Sequence, residues 1–109
     1  MSARDERAAQ NESMFRSVNE RIEQTALTWG VAEGGVEFLC ECDDTECLER
    51  LRLTVEEYES VRAHPAQFVV AFNHEARDVE FVKRVEERFV VVRKVGEAAE
   101  VADNHDPRS

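Results

Sequence analysis

Apolar residues recur at three- and four-residue steps through the first quarter of the chain. Phe15, Val18, Ile22, Ala26 and Trp29 fall on one stripe of a 3.6-residue period, which predicts a helix over residues 4–29. Arg16, Asn19, Glu20 and Glu23 occupy the opposite side, which is expected to face water. The stretch before Met14 lacks the stripe, so residues 1–13 read as a solvated helical overhang. Gly30 ends the helix and Gly34-Gly35 supplies a turn.

The period then changes. Residues 36–40 read as a strand, 41–46 as a connection, and 47–53 as a returning strand with Leu51 and Leu53 on one face, a hairpin with a cysteine-bearing tip. Thr54-Val55-Glu56-Glu57 is a capping box: the Thr54 hydroxyl can accept from the Glu57 amide while the Glu57 carboxylate reaches back to the Thr54 amide. It opens a short helix to about residue 63, with Val55, Tyr58 and Val61 inward and Pro65 closing it. Residues 67–72 form a third strand. From 79 to 94 two patterns compete, because Val79, Val82 and Val85 fit a helix face whereas Phe89-Val90-Val91-Val92 is β-branched and strand-like. The segment is a hairpin or a short helix feeding a strand. Gly96 precedes an Ala/Glu segment, and residues 102–109 read as a mobile tail. The prediction is an α+β fold: a long N-terminal helix, a small mostly antiparallel sheet with a cysteine-tipped hairpin, and a short helix. Residues 14–101 form a single zinc-stabilised domain in this reading.

Composition narrows the function classes. The 109 residues suit one domain, and the net charge of −10 argues against a general nucleic-acid binder. Seven carboxylates and one arginine lie between residues 30 and 50, so more than half of that charge sits in the segment that holds every cysteine. Arg77, Lys83, Arg84, Arg88, Arg93 and Lys94 are interleaved with acids and read as a solvated face rather than an RNA contact. Apolar runs of at most five residues predict neither a transmembrane helix nor a secretory segment, and a cytoplasmic location is expected. No P-loop, G-x-S-x-G or dinucleotide fingerprint is present, and no enzyme activity is expected.

Cys40, Cys42 and Cys47 are the only cysteines, spaced C-x-C-x4-C, and three thiols cannot all pair in disulfides. Strand alternation sends Cys40 and Cys42 from one face, and the turn Asp43-Asp44-Thr45 carries Cys47 back beside them. Three thiolates around one point repel unless a cation sits between them, and a histidine would close the tetrahedron. His74, in the polar break Phe72-Asn73-His74-Glu75 after the third strand, is the expected fourth ligand. His64, beside Pro65 at a helix end, and His105, in the tail, are the other candidates. The expectation is one structural zinc on Cys40, Cys42, Cys47 and His74. A Cys3His set also resembles two-iron clusters of the CDGSH type. Their histidine follows the third cysteine by a few residues rather than 27, and their Pro and Gly are missing here, so the iron–sulfur cluster remains the alternative cofactor. Glu41, Asp43, Asp44, Glu46 and Glu49 add negative charge around the site, which opposes a reactive thiolate.

The runs "NESMFRSVNERIE", "FLCECDDTECLERLRLTVEEYESVRAHPAQFVVAFNHE" and "RFVVVRKVGEAAEVA" give the chain a resemblance, over about 90 residues, to a set of small uncharacterised bacterial proteins. Their shared pattern is a C-x-C-x4-C cluster followed by a histidine in a G/N-H-E turn, and Cys40, Cys42, Cys47 and His74 match it without a gap. The resemblance implies the same ligand set and brings no activity, substrate or partner. The functional expectation is a zinc-stabilised adaptor or regulatory protein. Its acidic residues Glu41, Asp43, Asp44 and Glu46 would meet a basic protein partner, with neither nucleic acid nor membrane as a direct partner. A metal- or thiol-responsive redox sensor is the second reading and a zinc-dependent enzyme the third. A monomer is expected, with a dimer through the N-terminal helix as the alternative.

Overall fold

The structure, a computed structural model, describes residues 3–30, 35–42, 44, 46–75, 80–104 and 106; for residues 3–9, 97 and 103 only the backbone is described. Gly34, Asp43, Thr45, Arg77, Val79, His105 and residues 107–109 lie outside the described residues, as do the first two of the expected overhang.

The chain is α+β. Helix α1 spans Ala3–Trp29, and at about 1.5 Å rise per residue its length matches the 42 Å long axis of the molecule. Strands β1 (Val36–Leu39) and β2 (Arg50–Leu53) form an antiparallel pair in which Phe38 lies opposite Leu51 and Val36 opposite Leu53. Helix α2 (Val55–Arg62) starts on the expected capping box: the Glu57 amide donates to Thr54 Oγ1 at 3.0 Å and the Thr54 amide to Glu57 Oε1 at 2.8 Å. A second antiparallel sheet has the order β3-β5-β4, from β3 (Gln67–Val70), β4 (Glu80–Val85) and β5 (Val90–Lys94). Helix α3 (Gly96–Asn104) packs on α1 and β5.

The core runs between the two sheets and α2. Phe38, Leu51, Leu53, Tyr58, Val61, Phe68, Val69, Val70 and Phe89 to Val92 pack together. Phe38 and Tyr58 stack with ring centroids 4.4 Å apart. Val90, Val91 and Val92 are all buried because β5 is the central strand and is covered on both faces.

One reading left open between two patterns is resolved, and two others change. The first concerns residues 80–94, which form a hairpin with no helix. A bulge between Val82 and Arg84 inserts one residue into β4, and this stretches the two-residue alternation into the three-residue spacing that imitates a helix face. Second, residues 102–104 complete α3, and the Asp106 carboxylate after them meets the buried Arg62 guanidinium.

The third reading changes more. The side of α1 expected to face water faces the protein, with Glu12, Arg16, Asn19 and Glu23 buried beside Phe15 and Ala26. Their burial is possible because the interior offers partners. Arg16 donates to the carbonyl of Pro65 at 2.8 Å and to that of Gln67, and its guanidinium lies 3.7 Å from the centre of the Phe68 ring. Glu20 pairs with Arg62 at 2.6 Å. Glu12 and Glu80 each hold Lys94 Nζ at 2.6 Å. Burial works against the Lys94 ammonium, yet these two carboxylates hold its pKa above the ordinary lysine value. The apolar stripe is correspondingly half outside. Val18 and Met14 are exposed, Trp29 is 75% exposed, and Val18, Arg21, Ile22, Thr25, Ala26 and Val36 line an open groove of about 320 Å3.

Candidate metal centre

Three local structures converge at the end of the first hairpin. β1 delivers Cys40 and Cys42 just past its last paired residue, and the Cys40 amide still donates across the hairpin to the Glu49 carbonyl at 3.1 Å. The connection folds on itself through Asp44. Its side chain accepts from the Glu46 amide at 2.9 Å and its carbonyl from the Cys47 amide at 3.1 Å, which brings Cys47 back. The third structure is the turn after β3, closed by the His74 amide donating to the Ala71 carbonyl at 3.1 Å. Asn73 takes the left-handed conformation there, φ +67, and asparagine is among the few side-chain-bearing residues that tolerate it.

These elements place Cys40 Sγ, Cys42 Sγ, Cys47 Sγ and a His74 ring nitrogen within 4.8 Å of one another. His74 turns Nδ1 toward the cluster, 3.5 Å from both Cys40 Sγ and Cys47 Sγ. Cys40 and Cys42 are buried, whereas Cys47 and His74 are half-buried. The Ala71 amide donates to Cys40 Sγ at 3.2 Å, stabilising negative charge on sulfur and orienting the ligand. None of the three cysteines forms a disulfide.

Crowding thiols without a cation divides their protonation. The hydrogen bond from Cys40 draws the Cys42 thiol down to about 5, and the same bond together with burial pushes Cys40 up. Burial raises Cys47 as well. The crowded thiols thus oppose one another's ionisation, and a thiophilic cation would relieve that by displacing their protons.

All four expected ligands come together, and among the described residues His64 does not join them. His64 Nε2 lies 2.7 Å from the Arg93 guanidinium, and His105 is outside the described residues. The acidic residues expected to form a partner surface separate. Asp44, Glu46 and Glu49 are exposed around the loop, Asp43 is outside the described residues, and Glu41 is 0% exposed. Glu41 cannot meet a partner. Cys40 and Cys42 point to the loop side of an extended segment, so the residue between them points the other way, into the core. Ala71 and Asn73 were not foreseen as parts of the site. The amide of Ala71 carries no residue-type signal, and Asn73 was visible only as part of a polar break.

The molecule is therefore an α+β chain with a Cys3His cluster able to hold a metal ion. The chain matches no protein-family model, no curated protein and no solved structure. Among the described residues no helix is long and apolar enough to cross a membrane.

Proposed function

We propose that the chain is a small regulatory or adaptor protein held together by one structural zinc ion on Cys40, Cys42, Cys47 and His74, and that it binds a basic protein partner. The convergence of the four ligand atoms within 4.8 Å carries the zinc reading. A tetrahedron with Zn–S near 2.3 Å and Zn–N near 2.0–2.1 Å has S···N edges of about 3.6 Å, and the two sulfur to Nδ1 separations of 3.5 Å fit it. Three thiolates and an imidazole suit zinc in ligand type, and four protein ligands leave no open position for substrate.

The partner reading is supported by the surface next to the metal loop. Asp44, Glu46 and Glu49 are exposed around Leu48, which is 88% exposed, and Phe72 is exposed on the neighbouring turn beside His74. Exposed apolar side chains on a loop that also exposes carboxylates match a partner that presents lysine or arginine beside an apolar side chain. Zinc in the folded protein is tested by metal content and free-thiol count before and after chelation. One zinc per chain with three thiols released supports the site, iron with visible absorbance replaces zinc by a cluster, and no metal refutes the reading. A partner recovered at low salt and lost at high salt supports the surface.

One observation favours a second reading, a metal- or thiol-responsive sensor. The half-buried Cys47 is the thiol within reach of an oxidant, while Cys40 and Cys42 are shielded. Zinc released by mild oxidant at the same rate as Cys47 is modified would support it.

A further inference from the structure

Glu41 stands between two ligand positions and faces away from both. Its carboxylate is the meeting point of three elements. Oε2 accepts from the Tyr58 hydroxyl of α2 at 2.8 Å and from the Asn19 side-chain amide of α1 at 2.9 Å. Oε1 accepts from the Val69 amide of β3 at 3.1 Å, and the Glu41 amide donates to the Val69 carbonyl at 2.7 Å. Glu41 thereby links the two sheets along the edge of β3 that β5 leaves free.

Asn19 does similar work two residues earlier, at Leu39. Its Oδ1 accepts from the Leu39 amide at 2.7 Å and its Nδ2 donates to the Leu39 carbonyl at 2.9 Å, as a neighbouring strand would. Asn19 is fully buried. Residues 40–42 lie beyond the last β1–β2 pair, so their backbone direction, and with it the aim of Cys40 and Cys42, depends on these contacts and on the Cys40 amide bond to Glu49.

We propose that Glu41 and Asn19 are positioning residues of the metal centre, and that through them metal binding is coupled to the docking of the C-terminal half of α1. The proposal rests on the metal reading above. A bound ion restrains residues 40–42 from the sulfur side, and Asn19 with Glu41 restrains the same residues from the core side. Each restraint lowers the ordering cost of the other, so the coupling is positive and reciprocal. The N-terminal half of α1 has further anchors in Glu12, which reaches Lys94 of β5, and in Arg16, which holds the Gln67 carbonyl of β3 while its guanidinium also feels the Glu41 charge. Metal should therefore act most on residues 19–29, where Glu20 keeps its own anchor in Arg62, and least on residues 12–16.

The substitutions follow from the hydrogen bonds. In Glu41→Gln the side chain keeps one acceptor oxygen, and its NH2 must face either the Val69 amide or the Asn19 and Tyr58 donors. Asn19→Ala removes both bonds to Leu39. Zinc affinity, read by competition with a chromophoric chelator, is expected to fall at least tenfold in both variants. Val61→Ala, which cuts the core away from the site, should lower the unfolding midpoint and leave zinc affinity within twofold. Chelating the wild-type chain should speed amide exchange at Leu39 and across residues 19–29, with residues 12–16 and β5 unchanged. That exchange measurement decides the matter should either variant fail to fold. A wild-type chain that takes up no metal overturns the metal reading and this coupling with it. A wild-type chain that binds one zinc overturns the coupling alone if folded variants bind as tightly or if chelation leaves exchange at 19–29 unmoved.

Discussion

Replacing Arg16 by methionine tests whether the polar side of α1 belongs inside. Arg16 is 1% exposed and does three things at once: it donates to the Pro65 and Gln67 carbonyls, lies over the Phe68 ring, and sits 3.9 Å from the Asp106 carboxylate. Methionine fills most of the volume without a donor. Two carbonyls then lose a charged partner, at roughly 1–3 kcal/mol each when left unsatisfied, and the cation–π contact removes about another 1–2 kcal/mol. Opposing this, burial pulls the Arg16 pKa below the ordinary arginine value, a sign that the guanidinium itself is held at a desolvation cost. Asp106 also keeps Arg62 and is not stranded. The expected net loss is about 3–5 kcal/mol, in line with removing one partner from a buried ionic contact. Urea unfolding followed by far-ultraviolet circular dichroism, with a slope of about 1.5 kcal/mol/M, would show a midpoint lowered by about 2–3 M. Arg16→Lys, which keeps the charge and loses the fork, should fall in between. A methionine variant as stable as the wild type, or more so, would refute the argument and mean that the interior only tolerates this charge.

Cys42→Ser should abolish stoichiometric zinc and lower the unfolding midpoint, while adding zinc back should stabilise the wild type and leave the variant unchanged; equal zinc content in both would exclude Cys42 as a ligand. Lys94→Met leaves Glu12 and Glu80 facing each other in the interior and should cost about 3–5 kcal/mol by urea titration. The Lys94 pKa is raised in the folded state, so its stabilisation is complete below the unfolded value of about 10.4 and is lost as pH climbs through the higher folded one. The contribution of this ammonium should accordingly hold level from pH 6 to 9, and a decline across that window would contradict it. Asn73→Val forces a β-branched residue to φ +67, at about 1–3 kcal/mol, and should weaken zinc binding by displacing His74, whereas Asn73→Gly should leave both intact.

What could be read from the residues follows from which signals are local. The capping box at Thr54, the hairpin ending in Leu51 and Leu53, and the convergence of Cys40, Cys42 and Cys47 each depend on a few neighbouring residues, and the structure contains all of them. His74 was accessible for a less direct reason: a polar break after an apolar strand must lie at a sheet end, where the hairpin tip also lies. The β4 hairpin was ambiguous because its bulge disturbs the two-residue period within six residues. The orientation of α1 was illegible for a different reason. Whether Arg16 or Val18 faces inward depends on the carbonyls of Pro65 and Gln67 and on Asp106, all remote in sequence, and helical periodicity weighs hydrophobicity without knowing where acceptors await.

The burial of Glu41 follows from the same alternation that brings the two sulfurs together. Placing the sulfurs of Cys40 and Cys42 on one face of an extended segment already requires Glu41 to leave the other. The hairpin must bury that other face against the rest of the chain, since a two-stranded ribbon has no interior of its own. A carboxylate in that position is stable only with several donors arranged around it, and the chain supplies a tyrosine, an asparagine and a backbone amide from three separate elements. Charge summed over the segment places Glu41 with the surface acids. Parity along the strand would have separated it from Asp44 and Glu46, and would have pointed to the face of the site where α1 docks.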